Sequence, residues 1–227
     1  MSRSRGHRLK ITGTLEAMSP VHVGGMHDSP EVDLPLARDG QDRMYLPGTS
    51  LAGAMRQWTR RRFEAAIVNA LWGSQAVGGR GEDAASRAFV DDAVMVTPAT
   101  TTIPPEVWDG VGIDREYGRA ADRIKFDRAV LPRGSAFTFA MTVDLPPADQ
   151  EATTPAAEMR AVVGHLVEAL RGGRIGFGAA QTRGLGRLRL SDVEIIDEDW
   201  STRAGVLAVL TDASPPVRPA DLIRRRR

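Results

Sequence analysis

The alternation of apolar and polar residues along the chain predicts a small set of strands. Residues 8–18 alternate with a period of two, which is typical of a strand with one buried face. Residues 136–145 and 188–196 follow the same pattern, and residues 88–96 follow it less cleanly. A shorter apolar run, Met44-Tyr45-Leu46, predicts a short strand that leads into a turn.

Two segments instead place apolar residues at helical spacing. The first predicted helix covers residues 51–71 and ends at Gly73, and the second covers about residues 155–170 after a cap at Thr153 or Thr154. The predicted buried side of each helix is an apolar stripe. The stripes are Leu51, Ala54, Met55, Trp58, Ala65 and Ala66 in the first helix, and Met159, Val162, Val163, Leu166, Val167 and Leu170 in the second.

Taken in order, these elements predict an α+β fold with a β-α-β-β-α-β core, the ferredoxin-like (RRM-like) arrangement. Between the second and third main strands, at about residues 97–133, the apolar residues follow neither strand nor helix spacing. We expect an inserted hairpin there. Residues 1–200 then form a single domain, and residues 201–227 form a Pro-broken C-terminal tail.

Composition limits the classes of function. The chain has 227 residues and a formal net charge of +1, so any nucleic-acid surface must come from local segregation of charge. It has no cysteine, which excludes disulfides and Cys-based zinc sites and favours a reducing compartment. Without an apolar run long enough to span a membrane, we expect a soluble, cytoplasmic protein with no membrane partner.

The chemistry suggested by the residues centres on the turn Leu46-Pro47-Gly48-Thr49-Ser50, which opens the first predicted helix. Unpaired N–H groups at a helix N-terminus favour anions, so Thr49 and Ser50 are candidates for binding a phosphate. A long polar loop before the turn contains Asp28, Asp33 and Asp39. Carboxylates beside a phosphate suit metal-assisted phosphodiester chemistry. Alternatively, Ser50 only caps the helix and the aspartates only keep the loop soluble.

A second candidate site follows the first strand, at Val21-His22-Val23-Gly24-Gly25. Paired glycines permit positive φ or the close approach of a ligand or another backbone. His22 beside Gly24 and Gly25 could therefore contact a ligand. The alternative is a histidine that is hydrogen-bonded within the structure.

A glycine-rich segment precedes the last strand, with Gly176, Gly178, Gly184 and Gly186 in the spacing G-φ-G-x5-G-φ-G. It is neither a Walker loop nor a dinucleotide fingerprint, because it precedes a strand and no Gly-Lys-Ser/Thr follows. Together with the motifs at residues 21–25, 32–35, 46–56 and 71–73, this segment resembles the signature loop of the RAMP superfamily of CRISPR-associated proteins. The set is similar to the repeated backbone subunit (Cas-seven type) of type III effector complexes, the Csm and Cmr kind.

That resemblance implies a subunit that stacks with other copies of itself along a guide CRISPR RNA, beside other type III CRISPR subunits. A thumb-like hairpin would disrupt base pairing at regular intervals, and residues 112–133 resemble it. The residues implied in RNA binding are His22, Gly24, Gly25, Thr49, Ser50, Arg56, Arg115, Arg119, Arg123, Lys125, Gly178, Arg183 and Gly184. The chain departs from the family at Ala52 and Ala54, where relatives often carry lysines, so two phosphate contacts are in doubt.

The resemblance also implies guide-directed cleavage of target RNA by a divalent-metal-dependent endoribonuclease. Asp33, which is followed by Leu34-Pro35, matches the catalytic and metal-binding position of the long catalytic loop, and Asp28 is a weaker candidate. Because RNA carries its own nucleophile, the 2′-OH, the protein needs mainly to orient the linkage and to hold Mg²⁺ or Mn²⁺.

Three alternatives remain at this point. One is a non-catalytic RNA-binding backbone or cap subunit. Another is the metal-independent endoribonuclease of the same superfamily that processes guide precursors, which would need an acid–base residue from among His7, His22, His27 and His165. The last is an unrelated RRM-like module, which would neither polymerise on a guide nor cleave RNA.

Overall fold

The computed structural model describes residues 6–25, 32–75, 83–96, 104–147 and 156–223, with the backbone alone for residues 120–124. The predictions outside the described residues are those for His27, Asp28, Thr153, Thr154 and residues 224–227. In chain order the elements are β1 (His7–Ala17), β2 (Tyr45–Leu46), α1 (Gly48–Arg60), α2 (Ala65–Trp72), β3 (Ala88–Val90), β4 (Ala93–Val94), β5 (Glu106–Ile113), β6 (Ala120–Val130), β7 (Ala136–Leu145), α3 (Ala156–Arg171), a 3₁₀ turn (Gln181–Arg183), β8 (Leu188–Asp199), α4 (Arg203–Leu210) and α5 (Pro219–Ile223).

A four-stranded antiparallel sheet in the order β3-β7-β1-β8 forms the centre of the fold. Alternation along β7 buries Phe137, Phe139 and Met141 on one face and leaves Thr138 exposed on the other. The helix α3 packs on the buried face through the apolar stripe that the sequence predicts, and every residue of that stripe is buried. The protein is thus a mixed α+β structure with a mainly antiparallel sheet, compatible with the predicted ferredoxin-like fold.

The first predicted helix is wrong as a single element, because the chain forms α1 and α2 with a turn between them. The buried residues explain the break. α1 buries Leu51, Met55 and Thr59, whereas α2 buries Val68 and Leu71. Each helical residue rotates by about 100°, so a continuous helix would place Val68 on the face opposite Thr59. The turn at residues 61–64 brings both apolar faces to the same core, and Ala65 and Ala66, predicted to be buried, are exposed.

The second predicted strand is also divided, into β3 and β4. β3 pairs with β7 at the edge of the main sheet, whereas β4 pairs with β2. The change of partner occurs at Asp91 and Asp92, and the Asp92 Oδ1 accepts a hydrogen bond from the Gly48 N–H at 2.7 Å. Two adjacent aspartates do not fit a continuous strand well, and here one of them serves the first turn of α1.

Between β4 and β7 the chain forms an antiparallel hairpin from β5 and β6, with its tip at residues 114–119. Much of the hairpin is exposed, including the apolar side chains of Val107, Val111 and Ile113. The ring of Phe126 lies over Gly110 on the opposite strand, where a Cβ would overlap it. An aromatic residue that covers a cross-strand glycine supports pairing in a hairpin with little core of its own.

After β8 the chain forms two short helices in the region predicted as a tail. α5 packs on α3, with Leu222 buried, and Gly164 of α3 provides space for Leu222 and Ile223. α4 lies against β8, where Gly205 approaches Asp199. In the ranges that the structure describes, no helix is both long enough and apolar enough to cross a membrane.

Candidate nucleic-acid interface

Four segments meet at one end of the sheet and form what we call the loop junction. They are residues 18–25 after β1, residues 33–37 of the polar loop, residues 127–131 at the end of β6, and the glycine-rich loop at residues 172–187. The pairing of Val21 with Leu131, through two backbone hydrogen bonds of 2.8 Å, joins the first of these segments to the hairpin. The junction therefore connects the sheet, the predicted catalytic loop and the hairpin.

The glycine-rich loop lies directly on residues 18–22. The Gly186 N–H donates to Pro20 O at 2.8 Å, and the Ala179 N–H donates to His22 O at 3.0 Å. Within the loop, the Phe177 N–H donates to Gly186 O at 2.8 Å, and the Phe177 side chain is buried. The loop is thus held by backbone contacts and by one aromatic anchor, so its path does not depend on a ligand.

Two positions of this loop require glycine, both because a Cβ would not fit and because φ is positive. Gly178 has a φ of 72° and Gly186 a φ of 83°, both in the left-handed region. A Cβ at Gly178 would overlap His22 O, and a Cβ at Gly186 would overlap Phe177 O. The predicted glycine spacing therefore reflects two close backbone approaches, of Gly178 to the segment that carries His22 and of Gly186 to Phe177 within the loop.

The polar loop is joined to the same segments by a short ladder. The Gly25 N–H donates to Pro35 O at 3.0 Å and the Ala37 N–H donates to Val23 O at 2.9 Å. On the other side, Leu34 pairs in parallel with the end of β6 through hydrogen bonds of 3.0 and 3.1 Å. The described residues 32–44 of the loop between β1 and β2 therefore pass beside the base of the hairpin.

Asp33 lies at the start of this ladder with an exposed side chain. Its Oδ2 accepts a hydrogen bond from the Asp127 N–H at 2.9 Å. A carboxylate oxygen has more than one acceptor site, so Asp33 keeps capacity for further ligands on its exposed side. The carboxylate is fixed to the hairpin base and yet remains open to solvent.

Asp127 contributes a second acidic group here. Its Oδ1 is buried and finds no hydrogen-bond donor among the residues that the structure describes. Sequence reasoning missed this residue, because Asp127 lies within the hairpin, where its alternation with Phe126 and Arg128 looks like that of any exposed strand. Only the pairing of Leu34 with β6 brings it to Asp33.

Asp39, the third aspartate of the polar loop, is engaged in its own turn. Its Oδ1 accepts the Gln41 and Arg43 N–H groups at 2.9 Å each, and its Oδ2 accepts Arg43 Nε at 2.8 Å. The hydrogen bond from the Arg43 backbone, with smaller contributions from the Arg43 side chain and Gln41, lowers the pKa of Asp39. Its oxygens thus stabilise a turn, and Asp33 is the more available carboxylate of the two.

His22 is only 4% exposed, so its ring is part of the interior of the junction. Its Nδ1 lies 2.7 Å from Ala129 O, which as a carbonyl can only accept, so Nδ1 carries the proton. Burial lowers the pKa of His22 and nearby Arg128 lowers it further, while the contact with Ala129 O opposes the shift. Binding of RNA by His22 stays a prediction, and the ring itself contacts the hairpin base through Ala129 O.

The N-terminus of α1 exposes Thr49 and Ser50 to solvent, as a phosphate-binding role requires. Neither side chain caps the helix; the carboxylate of Asp92 accepts the Gly48 N–H. An acidic partner there offsets part of the positive end of the helix dipole, which weakens an anion site at this position. Sequence reasoning missed this role of Asp92, because Asp92 lies 44 residues after Gly48 in the chain.

The arginines predicted to bind RNA lie at three places. Arg56 donates from Nη2 to Gly73 O at 2.9 Å, so its guanidinium supports the end of α2. Arg183 is exposed in the 3₁₀ turn of the glycine-rich loop, beside the open position of Gly184. Arg183 is therefore the more available for an anionic ligand.

The remaining predicted RNA contacts lie on the hairpin. Arg115 and Arg119 are exposed at its tip, where the Arg119 guanidinium lies 5.3 Å from the centre of the Tyr117 ring. Lys125 is exposed and 3.5 Å from Asp109 across the hairpin. Of Arg123 only the backbone is described, as part of β6. The hairpin presents cations and aromatic surface together, a combination that suits contact with phosphates and bases.

The side chains at the junction can be compared with the ligand set that a divalent metal ion requires. Across the described ranges, no group of three or more histidine, aspartate or glutamate side chains could hold a metal ion. A cage built from protein alone is therefore absent there. The exposed oxygens of Asp33 are hard donors of the kind that Mg²⁺ or Mn²⁺ prefers, and Mg²⁺ commonly takes one or two carboxylates together with substrate oxygens and water. The site fits an ion that is shared with a bound substrate.

The sheet face opposite the helices is polar and internally paired. Arg8 contacts Asp144 at 2.8 Å, and Lys10 contacts Glu198. The central strands carry threonines between these pairs, and the exposed aromatic residue of this sheet, Phe89, lies on the edge strand β3. RRM modules stack bases on aromatic residues of the sheet. This face lacks that arrangement in the described strands, which disfavours the RRM-like alternative.

Comparison with known proteins identifies the family of the chain. No curated protein matches the chain. The family model of the RAMP superfamily matches residues 14–189, well over half of the chain, and this span includes Asp33, the hairpin and the whole glycine-rich loop with its four glycines. RAMP proteins are in general CRISPR-associated RNA-binding proteins. The chain belongs to the RAMP superfamily.

Proposed function

We propose that this protein is a backbone subunit of a type III CRISPR effector complex that binds guide RNA and cleaves complementary target RNA with the help of Asp33 and a divalent cation. The observation that carries the proposal is the placement of Asp33. Its carboxylate is exposed, is held at 2.9 Å by the Asp127 N–H, and lies in a RAMP protein at the base of a hairpin that carries exposed cations. The partners are guide CRISPR RNA, target RNA, further copies of the chain and other type III subunits.

The arrangement suits in-line cleavage of RNA. A target strand that passes the hairpin base would bring a phosphodiester to Asp33, and Arg115 and Arg119 at the hairpin tip would contact phosphates further along the strand. Because the 2′-OH is the nucleophile, holding one linkage in the in-line geometry supplies a large part of the rate. Asp33 would hold Mg²⁺ or Mn²⁺, which would supply positive charge to offset the charge that develops on the phosphate oxygens.

The metal-independent alternative needs a histidine that can exchange protons with RNA. The three described histidines do not form such a site. His7 contacts Asp197 at 2.9 Å, and His22 is buried against Ala129 O. His165, on α3, lies beside the ring of Phe63. They lie on different elements, which favours the metal-dependent proposal.

Asp33→Asn tests the proposal with the least disturbance. The amide oxygen can still accept the Asp127 N–H, so the loop should keep its path while the negative charge is lost. We expect cleavage of a guide-complementary RNA in Mg²⁺ to fall by at least about 100-fold, with guide binding unchanged within about two-fold.

Asp42→Asn is the matched control, because Asp42 is an exposed carboxylate of the same loop, paired with Arg38 at 3.1 Å. It should cleave at the wild-type rate. Unchanged cleavage by Asp33→Asn would refute the assignment. If cleavage is absent in the wild type as well, a single copy of the chain on each guide RNA would favour a cap subunit, and several copies would favour a non-catalytic backbone.

A further inference from the structure

Ala129 occupies an unusual position in the loop junction, because two different segments bind its two backbone groups. Its N–H donates to Leu34 O at 3.1 Å, and its carbonyl accepts from His22 Nδ1 at 2.7 Å. Ala129 is 8% exposed, so an unpaired carbonyl at this place would be costly.

The register of the strands explains why a side chain is needed. Val21 and Leu131 exchange two backbone hydrogen bonds, so the next such pair in an antiparallel ladder would be Val23 with Ala129. That pair does not form. Val23 O instead accepts the Ala37 N–H at 2.9 Å, because the chain turns away to pair with the polar loop. The missing donor to Ala129 O is supplied by the His22 side chain, and the missing acceptor for the Ala129 N–H by Leu34.

The contacts then continue without a gap to Asp33. The Leu34 N–H donates to Asp127 O at 3.0 Å, and the Asp127 N–H donates to Asp33 Oδ2 at 2.9 Å. His22 is fixed from the opposite side as well, because its own carbonyl accepts the Ala179 N–H from the glycine-rich loop. One residue thus joins the glycine-rich loop to the segment that holds the carboxylate.

We propose that His22 is a positioning residue: its Nδ1–H replaces the absent backbone donor to Ala129 O and so fixes the part of β6 on which the Asp33 carboxylate is held. This inference rests on the proposed function, because Asp33 is taken as the residue that holds the ion and the RNA linkage. It assigns His22 to the geometry of cleavage rather than to contact with the RNA.

Three substitutions separate the hydrogen bond from the shape of the ring. Asn has an N–H donor at the δ position, where the imidazole Nδ1 lies, so His22→Asn can keep the contact with Ala129 O. His22→Gln places its amide one bond further along and loses that position. His22→Leu fills similar space and has no donor.

The first readout is amide hydrogen exchange, which does not depend on activity. In His22→Leu, exchange at the Leu34 and Ala129 N–H groups should rise by roughly 10- to 100-fold, the range for a buried group left without its partner. Exchange in β1 and β7 should change by less than about two-fold. His22→Asn should return both amides to within about three-fold of the wild type, and His22→Gln should resemble His22→Leu.

The second readout is single-turnover cleavage at saturating Mg²⁺, measured together with guide-RNA affinity. His22→Leu and His22→Gln should slow cleavage about 10-fold or more with guide affinity unchanged within two-fold, and His22→Asn should restore most of the rate. A variant that is merely destabilised would lose RNA binding and cleavage together.

Different experimental results would overturn this inference and the proposed function. Wild-type cleavage by His22→Leu, beside an inactive Asp33→Asn, overturns the inference alone. Equal exchange and equal cleavage in the Leu and Asn variants also overturns it, because the donor would then not matter. Full cleavage by Asp33→Asn overturns the proposed function, and the role of His22 in cleavage with it.

Discussion

Replacing Gly178 by Ala should disrupt the loop junction far more than the same change at Gly184. Both residues belong to the glycine-rich loop, with φ values of 72° and 88°. They differ in their surroundings. A Cβ at Gly178 would overlap His22 O, whereas nothing lies within 4 Å of a Cβ at Gly184. The pair therefore shares backbone strain and differs in steric overlap.

The magnitudes follow from these two terms. A left-handed conformation costs an Ala roughly 1–2 kcal/mol, partly offset by about 0.4–1 kcal/mol because Ala also restricts the unfolded chain. Gly184→Ala should therefore lower the free energy of unfolding by about 1 kcal/mol. Gly178→Ala carries the same strain and must also move the loop off His22. That movement breaks the hydrogen bond from Ala179 and loosens the packing of the loop, for a total of about 3 kcal/mol or more.

Thermal and urea unfolding of both variants measure this difference. For a protein of this size 1 kcal/mol corresponds to about 2–4 °C in Tm, so we expect a loss of about 2–4 °C for Gly184→Ala and at least about 6 °C for Gly178→Ala. Guide-RNA affinity should fall in Gly178→Ala as well, because the loop would no longer lie on residues 18–22. Free energies of unfolding that agree within about 0.5 kcal/mol would refute the close approach of the loop to His22.

Two further predictions concern the elements around the junction. Asp92→Ala should lower the free energy of unfolding by about 1 kcal/mol, because the Gly48 N–H loses its 2.7 Å acceptor, whereas Asp91→Ala should have a smaller effect in urea unfolding. Burial lowers the pKa of His22, so between its folded-state pKa and the unfolded value of about 6.5 the unfolded chain binds the extra proton. The contribution of neutral His22 to the free energy of unfolding should therefore be fully present above about pH 6.5. It should fall as the pH drops below about 6.5, by at most about 1.4 kcal/mol per pH unit. His22→Asn should flatten this part of the pH profile, and an unchanged slope would contradict the burial of the ring.

The periodic parts of the sequence predicted the fold best. The prediction of residues 136–145 coincides with β7, and the stripe from Met159 to Leu170 is buried as expected, because each forms one continuous face against one core. The prediction of one helix over residues 51–71 was wrong, because Ala65 and Ala66 looked like a continuation of the apolar stripe that begins at Leu51, yet both are exposed. Only the tertiary packing requires Leu51 and Val68 to lie on two separate helices.

Those parts of the candidate site were predictable in which the residue type and its local spacing already indicate the role. The positive φ and close approach at Gly178 and Gly186 agree with the glycine spacing, and Asp33 stands out from Asp39 once hydrogen bonds are known. The contacts that organise the site join distant parts of the chain. His22 and Ala129 are 107 residues apart, and Asp33 and Asp127 are 94 apart. Local patterns contain no information on such pairings.

The most direct test of the account is metal rescue at position 33. The chain contains no cysteine, so Asp33→Cys introduces the only thiol. A thiolate is a poor ligand for Mg²⁺ and a good one for softer ions. We expect Asp33→Cys to bind guide RNA normally, to cleave target RNA at least about 100-fold more slowly than the wild type in Mg²⁺, and to regain cleavage when Cd²⁺ is added. Wild-type cleavage by Asp33→Cys in Mg²⁺ alone would contradict a metal ion held by this residue.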